Sequence, residues 1–89
     1  MKINEVFKNQ LRRTSSSIVL NIAEGAGKFS VKEKKHFYTI SRGSIYECVS
    51  IIRLLNQEEL ISKNLFEEIY NEFTELSKML TGLIKRFSE

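Results

Sequence analysis

The chain lacks proline and tryptophan, and its 89 residues include one cysteine, one histidine and four glycines. Because proline is absent, nothing in the sequence forces a kink or a break inside a helix. The single cysteine, Cys48, cannot form an internal disulfide, so a reducing, cytoplasmic location is expected. No run approaches the ~18 apolar residues of a membrane span, and the N-terminal residues do not form an apolar signal segment. Neither a membrane protein nor a secreted one is therefore expected.

Residues that carry chemistry are also scarce. With one histidine, no aspartate and no glycine-rich phosphate loop, the sequence contains no catalytic triad, P-loop or zinc motif. A di-metal site in a helical bundle needs Glu-x-x-His pairs, and His36 has that spacing with neither Glu24 nor Glu47. The sequence therefore predicts a protein that is not an enzyme and that binds no metal and no cofactor.

Apolar residues recur at steps of three and four almost throughout the chain, which is the period of an α-helix. This pattern predicts an all-α single domain over residues 1–89. Its three long antiparallel helices span approximately 3–24, 31–56 and 63–87, in a bundle of the four-helix type. Ser30 and Ser62 are predicted N-caps. Gly25 and Gly27 are predicted to end the first helix in a left-handed conformation.

Each predicted helix carries an inward stripe, and the stripes are broad enough to need a fourth neighbour. A partner chain supplying that neighbour makes self-association the expectation. The stripe of the first helix consists of Ile3, Phe7, Leu11, Thr14, Ile18 and Ile22, and it is broadened by Val6, Val19 and Leu20. The stripe of the second helix consists of Phe37, Ser41, Ser44, Ile45, Cys48, Ile52 and Leu55, and that of the third consists of Phe66, Ile69, Phe73, Leu76, Leu80, Leu83 and Phe87.

Polar residues interrupt the first two stripes, between Gln10 and Gly25 and again around Ser44. Buried polar groups must find partners or cost roughly 1–3 kcal/mol each. The interpretation we favour is that they form interhelical hydrogen bonds, and ion pairs with Arg13 or Arg42, that fix register or subunit contacts. A small-molecule or metal site is the weaker alternative. The residues concerned are Asn21, Glu24, Ser44 and Glu47.

Charge is distributed unevenly along the sequence. Residues 1–57 contain ten Lys or Arg and four Glu, a net charge of +6. Residues 58–89 contain four Lys or Arg and seven Glu, a net charge of −3. This asymmetry favours a polyanion partner or head-to-tail self-association, and the simpler alternative is that these charges are the solvated faces of amphipathic helices. The residues predicted to contact nucleic-acid phosphates are Arg12, Arg13, Lys28, Lys32, Lys34, Lys35 and Arg42.

Three spaced motifs carry a family resemblance. They are Gln10, Arg12, Arg13, Ser17, Ile18 and the run 21–25; then Phe37, the run 42–44 and Glu47; then Leu80 and the run 82–85. The chain resembles the 23S rRNA intervening-sequence proteins, and it is similar to accessory proteins of diversity-generating retroelements.

The resemblance implies a four-helix bundle and a ring-like homo-oligomer, pentameric in some members. Family members begin with a further helix, and this sequence starts where that helix would end. The expected function is RNA or DNA binding by a homo-oligomer. The alternative is a protein–protein scaffold, or an accessory subunit of a nucleic-acid enzyme such as a reverse transcriptase. A shortened relative with no remaining partner is a third possibility.

Overall fold

The computed structural model describes residues 3–88, with side chains from Glu5 onward. It contains the helices α1 (Ile3–Ala26), α2 (Val31–Gln57) and α3 (Lys63–Arg86), which confirms the all-α, three-helix prediction. The middle helix, α2, packs against α1 on one flank and against α3 on the other. The Cα atoms of the described residues span 44 × 24 × 13 Å. The helices therefore form a shallow, open assembly and not a closed bundle.

The starts of α2 and α3 are capped as predicted. Ser30 Oγ accepts a hydrogen bond from the Glu33 backbone N–H (3.3 Å), and Ser62 Oγ accepts one from the Leu65 backbone N–H (3.0 Å). These bonds satisfy donors that the first turn of a helix leaves without partners.

The end of α1 differs from the prediction. No glycine among the described residues has a positive φ, so the left-handed ending at Gly25 and Gly27 is wrong. Instead, Lys34 Nζ donates to the carbonyl oxygens of Gly25 and Ala26, at 3.2 Å each. The last carbonyls of a helix lack partners and carry partial negative charge, so an ammonium from α2 can stabilise them.

A left-handed residue does end α2. Glu59 has φ 58°, its N–H donates to the Asn56 carbonyl (3.1 Å), and the N–H of Leu60 donates to the Leu55 carbonyl (2.8 Å). This pair of bonds is the Schellman motif, in which glycine is the usual left-handed residue. Position 59 is glutamate and not glycine, so the sequence does not predict this helix ending.

The core lies on the side of α2 that faces α1 and α3. It combines Ile18, Tyr38, Ile45, Cys48 and Leu80, and the inward placement of the last four stripe residues of α2 is confirmed. Phe37, which the predicted stripe includes, is half-buried, whereas Tyr38, which the stripe omits, is buried. Val6, Val19 and Leu20 are exposed. Ile3 lies outside the residues whose side chains are described.

Tyr38 explains the need for glycine at position 25. Its ring stacks on Phe87 of α3, with centroids 6.0 Å apart, and its other neighbour is the backbone of α1. A Cβ built on Gly25 would lie 2.8 Å from Tyr38 Cε1, whereas a Cβ built on Gly82 would meet nothing within 4 Å. Gly25 is therefore required by close packing, and Gly82 is not.

We expect Gly25→Ala to lower the free energy of unfolding by about 1–2 kcal/mol, because overpacking outweighs the gain in helix propensity. Gly82→Ala, the matched control, should raise the free energy of unfolding by roughly 0.5–1 kcal/mol, because it only removes backbone freedom from the unfolded chain. Urea denaturation followed by circular dichroism measures both. Stabilisation by Gly25→Ala equal to that by Gly82→Ala would show that the Tyr38 ring yields at no cost.

Cys48 is 0 % exposed, which confirms its predicted place in the core. Burial, with a smaller contribution from the Glu47 carboxylate, raises the pKa of the Cys48 thiol from 9.0 to about 11. The folded state therefore keeps the thiol proton more tightly than the unfolded state does. Stability that depends on the neutral thiol is complete below pH 9.0 and is lost as the pH rises towards about 11.

This linkage predicts a steeper fall in the free energy of unfolding between pH 9 and pH 11 for the native chain than for Cys48→Ala. Other residues titrate in the same window, so the comparison of the two chains isolates the thiol. Parallel curves for both would contradict the prediction. Urea denaturation at half-unit pH steps provides the measurement.

Candidate functional site

The two polar clusters of the sequence come together in one groove between α1 and α2. The groove has a volume of about 380 Å³ and is lined by Gln10, Arg13 and Ser17 from α1 and by Gly43, Ser44 and Glu47 from α2, among others. The Ser17 and Ser44 hydroxyls are 2.9 Å apart in a half-buried position. Residues 27 positions apart in sequence are thus joined across the helix pair.

Further hydrogen bonds fix the register of α1 against α2. Asn21 Nδ2 donates to the Ser17 carbonyl oxygen (2.8 Å) and to Ser17 Oγ (3.1 Å), next to the contact with Ser44. One turn away, the buried Ser41 Oγ donates to the Ile18 carbonyl oxygen (2.8 Å). Ser44 therefore makes an interhelical contact, whereas Asn21 acts within α1 by orienting the hydroxyl that meets Ser44.

The charged residues near this groove pair differently from the expectation. Glu24, near the end of α1, forms an ion pair with Lys28 in the turn that follows, at 3.7 Å, and not with Arg13 or Arg42. It is the only ion pair within 4.0 Å among residues 5–88. Arg42 Nη1 donates instead to Thr81 Oγ1 of α3 (3.2 Å).

Arg13 and Glu47 line the same groove, and in the described part of the chain neither forms a salt bridge. The α1–α2 groove thus presents one cation and one carboxylate that have no ion-pair partner among residues 5–88. Gly43 also lines this groove, and a Cβ built on it would meet nothing within 4 Å. Nothing inside the described chain therefore requires glycine at position 43.

The seven predicted phosphate contacts fall into three places. Arg13 lines the α1–α2 groove, and Arg12, also on α1, hydrogen-bonds Asn9. Arg42 lies on the opposite flank of α2, against α3. The remaining four lie around the turn between α1 and α2, namely Lys28, Lys32, Lys34 and Lys35.

Two residues that were not among the predicted phosphate contacts belong with these four lysines. Because α3 runs antiparallel to α2 and Phe87 stacks on Tyr38, Lys85 and Arg86 lie at the same end of the molecule. We call residues 24–36 and 82–88 the basic end. It contains six Lys or Arg and two Glu, a net charge of +4.

The opposite end has the opposite charge. Residues 5–8 and 57–72, which we call the acidic end, contain six Glu and two Lys, a net charge of −4. The two sets meet there because Glu5 and Lys8 lie against Leu60 and Ile61 in the turn after α2. The charge asymmetry of the sequence is therefore an asymmetry between the two ends of the molecule.

Two lysines of the basic end already have partners within the chain. Lys34 caps α1, and Lys28 pairs with Glu24 while its Nζ lies 5.3 Å from the centroid of the Phe37 ring. No hydrogen bond, ion pair or aromatic contact is made by the other four cationic side chains within the described residues. These four are Lys32, Lys35, Lys85 and Arg86.

These features define an all-α protein of the helical-bundle class, with a polar groove on one flank of α2 and a concentrated positive charge at one end. The chain matches the sequence model of the 23S rRNA-intervening sequence protein family over residues 2–82 and belongs to that family. Comparison with curated proteins and with solved structures gave no match.

Two further observations concern the described residues alone. None of the helices in residues 3–88 is long and apolar enough to cross a membrane. In the same part of the chain, no three side chains of His, Cys or Glu come together in an arrangement that could hold a metal ion.

Proposed function

We propose that this protein is a non-enzymatic, homo-oligomeric, cytoplasmic helical bundle that binds RNA through its basic end. The observation that carries the proposal is the concentration there of cationic side chains that have no partner among residues 5–88. Nucleic acids are bound chiefly by neutralising phosphates with Lys and Arg. The family is named for an intervening sequence of 23S rRNA, which is compatible with a role connected to RNA.

The acidic end does not cancel this attraction. The molecule is 44 Å long, whereas exposed charges are largely screened beyond a Debye length of about 8 Å at physiological ionic strength. An RNA strand near Lys32 and Lys85 therefore experiences the +4 net charge of the basic end and not the +3 net charge of the whole chain. Repulsion at the far end would instead orient the protein on the RNA.

Self-association is supported by what the three helices leave uncovered. Val19, Leu20 and Met79 are each about two thirds exposed, at 66 %, 64 % and 66 %. Gly43 lies in a helix interior, where glycine costs roughly 0.5–1 kcal/mol relative to alanine, yet no neighbour among the described residues needs the space. Close approach by another copy of the chain would account for both features.

The second candidate function is a protein–protein scaffold or an accessory subunit of a nucleic-acid enzyme such as a reverse transcriptase. The observation in its favour is the α1–α2 groove, where neither Arg13 nor Glu47 has an ion-pair partner in the described part of the chain. A carboxylate beside the arginine disfavours phosphate but suits a protein surface that carries both signs of charge.

Light scattering coupled to size-exclusion chromatography tests the proposal, with the chain run alone and with a mixed RNA pool at 50 and 300 mM salt. We expect an oligomer that takes up RNA at low salt and releases it at high salt. With about four phosphate contacts, log K should fall with log salt at a slope of roughly −3. An oligomer indifferent to RNA would overturn RNA binding and favour the scaffold. A monomer at micromolar concentration would overturn the assembly.

A further inference from the structure

A second groove lies on the other flank of α2, between α2 and α3. Its volume is about 300 Å³, and the residues that give it chemical character are Tyr46, Arg53, Tyr70, Thr74, Ser77 and Lys78. None of these belongs to the motifs from which the family resemblance was drawn. The α2–α3 groove is separate from the α1–α2 groove and from the turn that carries the four lysines.

The charge in this groove has one sign. Arg53 and Lys78 are its only ionisable cations, no glutamate lines it, and neither cation has a carboxylate within 4.0 Å in residues 5–88. This is notable because α3 is rich in glutamate. Its four acids, at positions 67, 68, 72 and 75, lie outside the groove lining, while Thr74, Ser77 and Lys78 line it. The site therefore selects an anion.

The aromatic residues in the groove differ in how their rings are used. Tyr70 is held in place, because its ring stacks on Phe66 (centroids 5.7 Å apart) and the Arg53 guanidinium lies 5.5 Å from its centroid. Tyr46 is 56 % exposed, and within the described residues no other ring or cation lies over its face. An aromatic face left open by the described residues, beside two cations that have no carboxylate partner among them, is an arrangement that binds an unpaired base and its phosphates.

A row of cations connects the groove to the basic end. Side chains seven or eighteen residues apart lie on the same face of an α-helix, so Lys35, Arg42 and Arg53 lie along one face of α2 over roughly 27 Å. Lys78 and Lys85 are likewise seven residues apart on the neighbouring helix. The hydrogen bond from Arg42 to Thr81 places this row beside α3. Phosphates of one strand can therefore follow the α2–α3 flank from the basic end into the groove.

We propose that the α2–α3 groove binds an unpaired nucleotide of single-stranded RNA. The base stacks on Tyr46, and Arg53 and Lys78 contact the adjacent phosphates. This proposal rests on the proposed RNA binding and specifies a second contact for the same strand. It also implies a preference for single strands over duplex, because a base inside a duplex cannot reach the Tyr46 ring.

The test uses the native chain, a fluorescein-labelled single-stranded RNA decamer and a duplex of the same sequence, with fluorescence anisotropy as the readout. We expect Tyr46→Ala to weaken binding of the single strand by about 5- to 150-fold, the range measured when one stacking aromatic is removed. Tyr46→Phe, which keeps the ring, should bind as the native chain does. Arg53→Gln should weaken binding and reduce the salt slope by about 0.7–0.9. Lys8→Gln is the control for loss of one charge outside the groove.

Tyrosine fluorescence provides an independent readout, because the chain has no tryptophan and only three tyrosines. Stacking of a base on Tyr46 should quench the emission of the native chain, and Tyr46→Phe should lose that quenching while retaining affinity. Circular dichroism of each variant verifies that the helices are intact.

The outcomes separate the two proposals. If the native chain binds no RNA at low salt, the proposed function and the groove site both fail. If it binds RNA but Tyr46→Ala and Arg53→Gln bind equally well, the groove site alone is overturned. Equal loss of duplex and single-strand binding in Tyr46→Ala would also overturn it. A poly-glutamate peptide that binds with the same dependence on Tyr46 would replace RNA by an acidic protein partner.

Discussion

Reversing the four charges of the basic end that have no partner within residues 5–88 is expected to weaken RNA binding by at least about 100-fold at physiological salt. The variant carries Lys32→Glu, Lys35→Glu, Lys85→Glu and Arg86→Glu, which changes the net charge of that end from +4 to −4. Both attraction and counterion release are then lost. Lys34 and Lys28 are left in place, because one caps α1 and the other pairs with Glu24.

The matched control has the same overall charge with the basic end intact. It carries Lys8→Glu, Arg12→Glu, Arg13→Glu and Lys63→Glu, so both variants change the net charge from +3 to −5. Filter binding or anisotropy with the RNA decamer compares them at 50 and 150 mM salt. Equal loss in both variants would mean that overall charge governs binding. Greater loss in the control would move the phosphate contacts to α1, where Arg12 and Arg13 lie.

The basic end could be predicted only in part, because the sequence shows charge along the chain and not in space. Lys28, Lys32, Lys34 and Lys35 are close in sequence, so their clustering around one turn needs no tertiary information. Lys85 joins them only because α3 returns antiparallel to α2. In a linear count it belongs to the acidic segment 58–89, which hides its contribution.

Most helix bounds could be predicted from the sequence because the signals that set them are local. The serines at 30 and 62 act on the third backbone N–H that follows, and apolar spacing depends only on helix geometry. The way in which α1 ends could not be predicted. Its carbonyls are capped by Lys34, eight or nine residues away on another helix. No local pattern encodes that contact.

The choice between neighbouring aromatic residues was also beyond a sequence argument. Phe37 is more apolar than Tyr38, and periodicity alone allows either residue to face the core. The contacts decide it: Tyr38 packs between Gly25 of α1 and Phe87 of α3, which lie 62 positions apart in the chain. A glycine that appeared to end a helix is instead the space into which this ring fits.

The α1–α2 groove shows how far motif spacing reaches. The resemblance grouped Gln10, Arg13 and Ser17 in one motif and Gly43, Ser44 and Glu47 in another, and the fold brings the two together. Helical spacing places each set on one face, but it cannot state that the faces meet or which atoms pair. The Ser17–Ser44 contact, and the lack of an ion pair for Arg13 within the described residues, follow from the relative positions of the two helices, which tertiary packing sets.

Truncation of the core at Ile52 is expected to have the largest effect on stability, a loss of about 2–5 kcal/mol for Ile52→Ala. Ile52 is 0 % exposed and lies on the face of α2 that packs against both neighbouring helices. A domain of this size buries a modest share of its surface, and its total stability is on the order of 5 kcal/mol. The variant should therefore be largely unfolded, or folded only in the assembled state.

Leu54→Ala is the matched control, because Leu54 lies two positions away on the same helix and is 44 % exposed. We expect its free energy of unfolding to change by less than about 1 kcal/mol. Urea denaturation at several protein concentrations measures both variants, since assembly makes the midpoint depend on concentration. If Ile52→Ala is destabilised only at low concentration, subunit contacts hold the core together. If Leu54→Ala lowers the free energy of unfolding as much as Ile52→Ala does, the side of α2 that carries Leu54 is itself covered in the assembly.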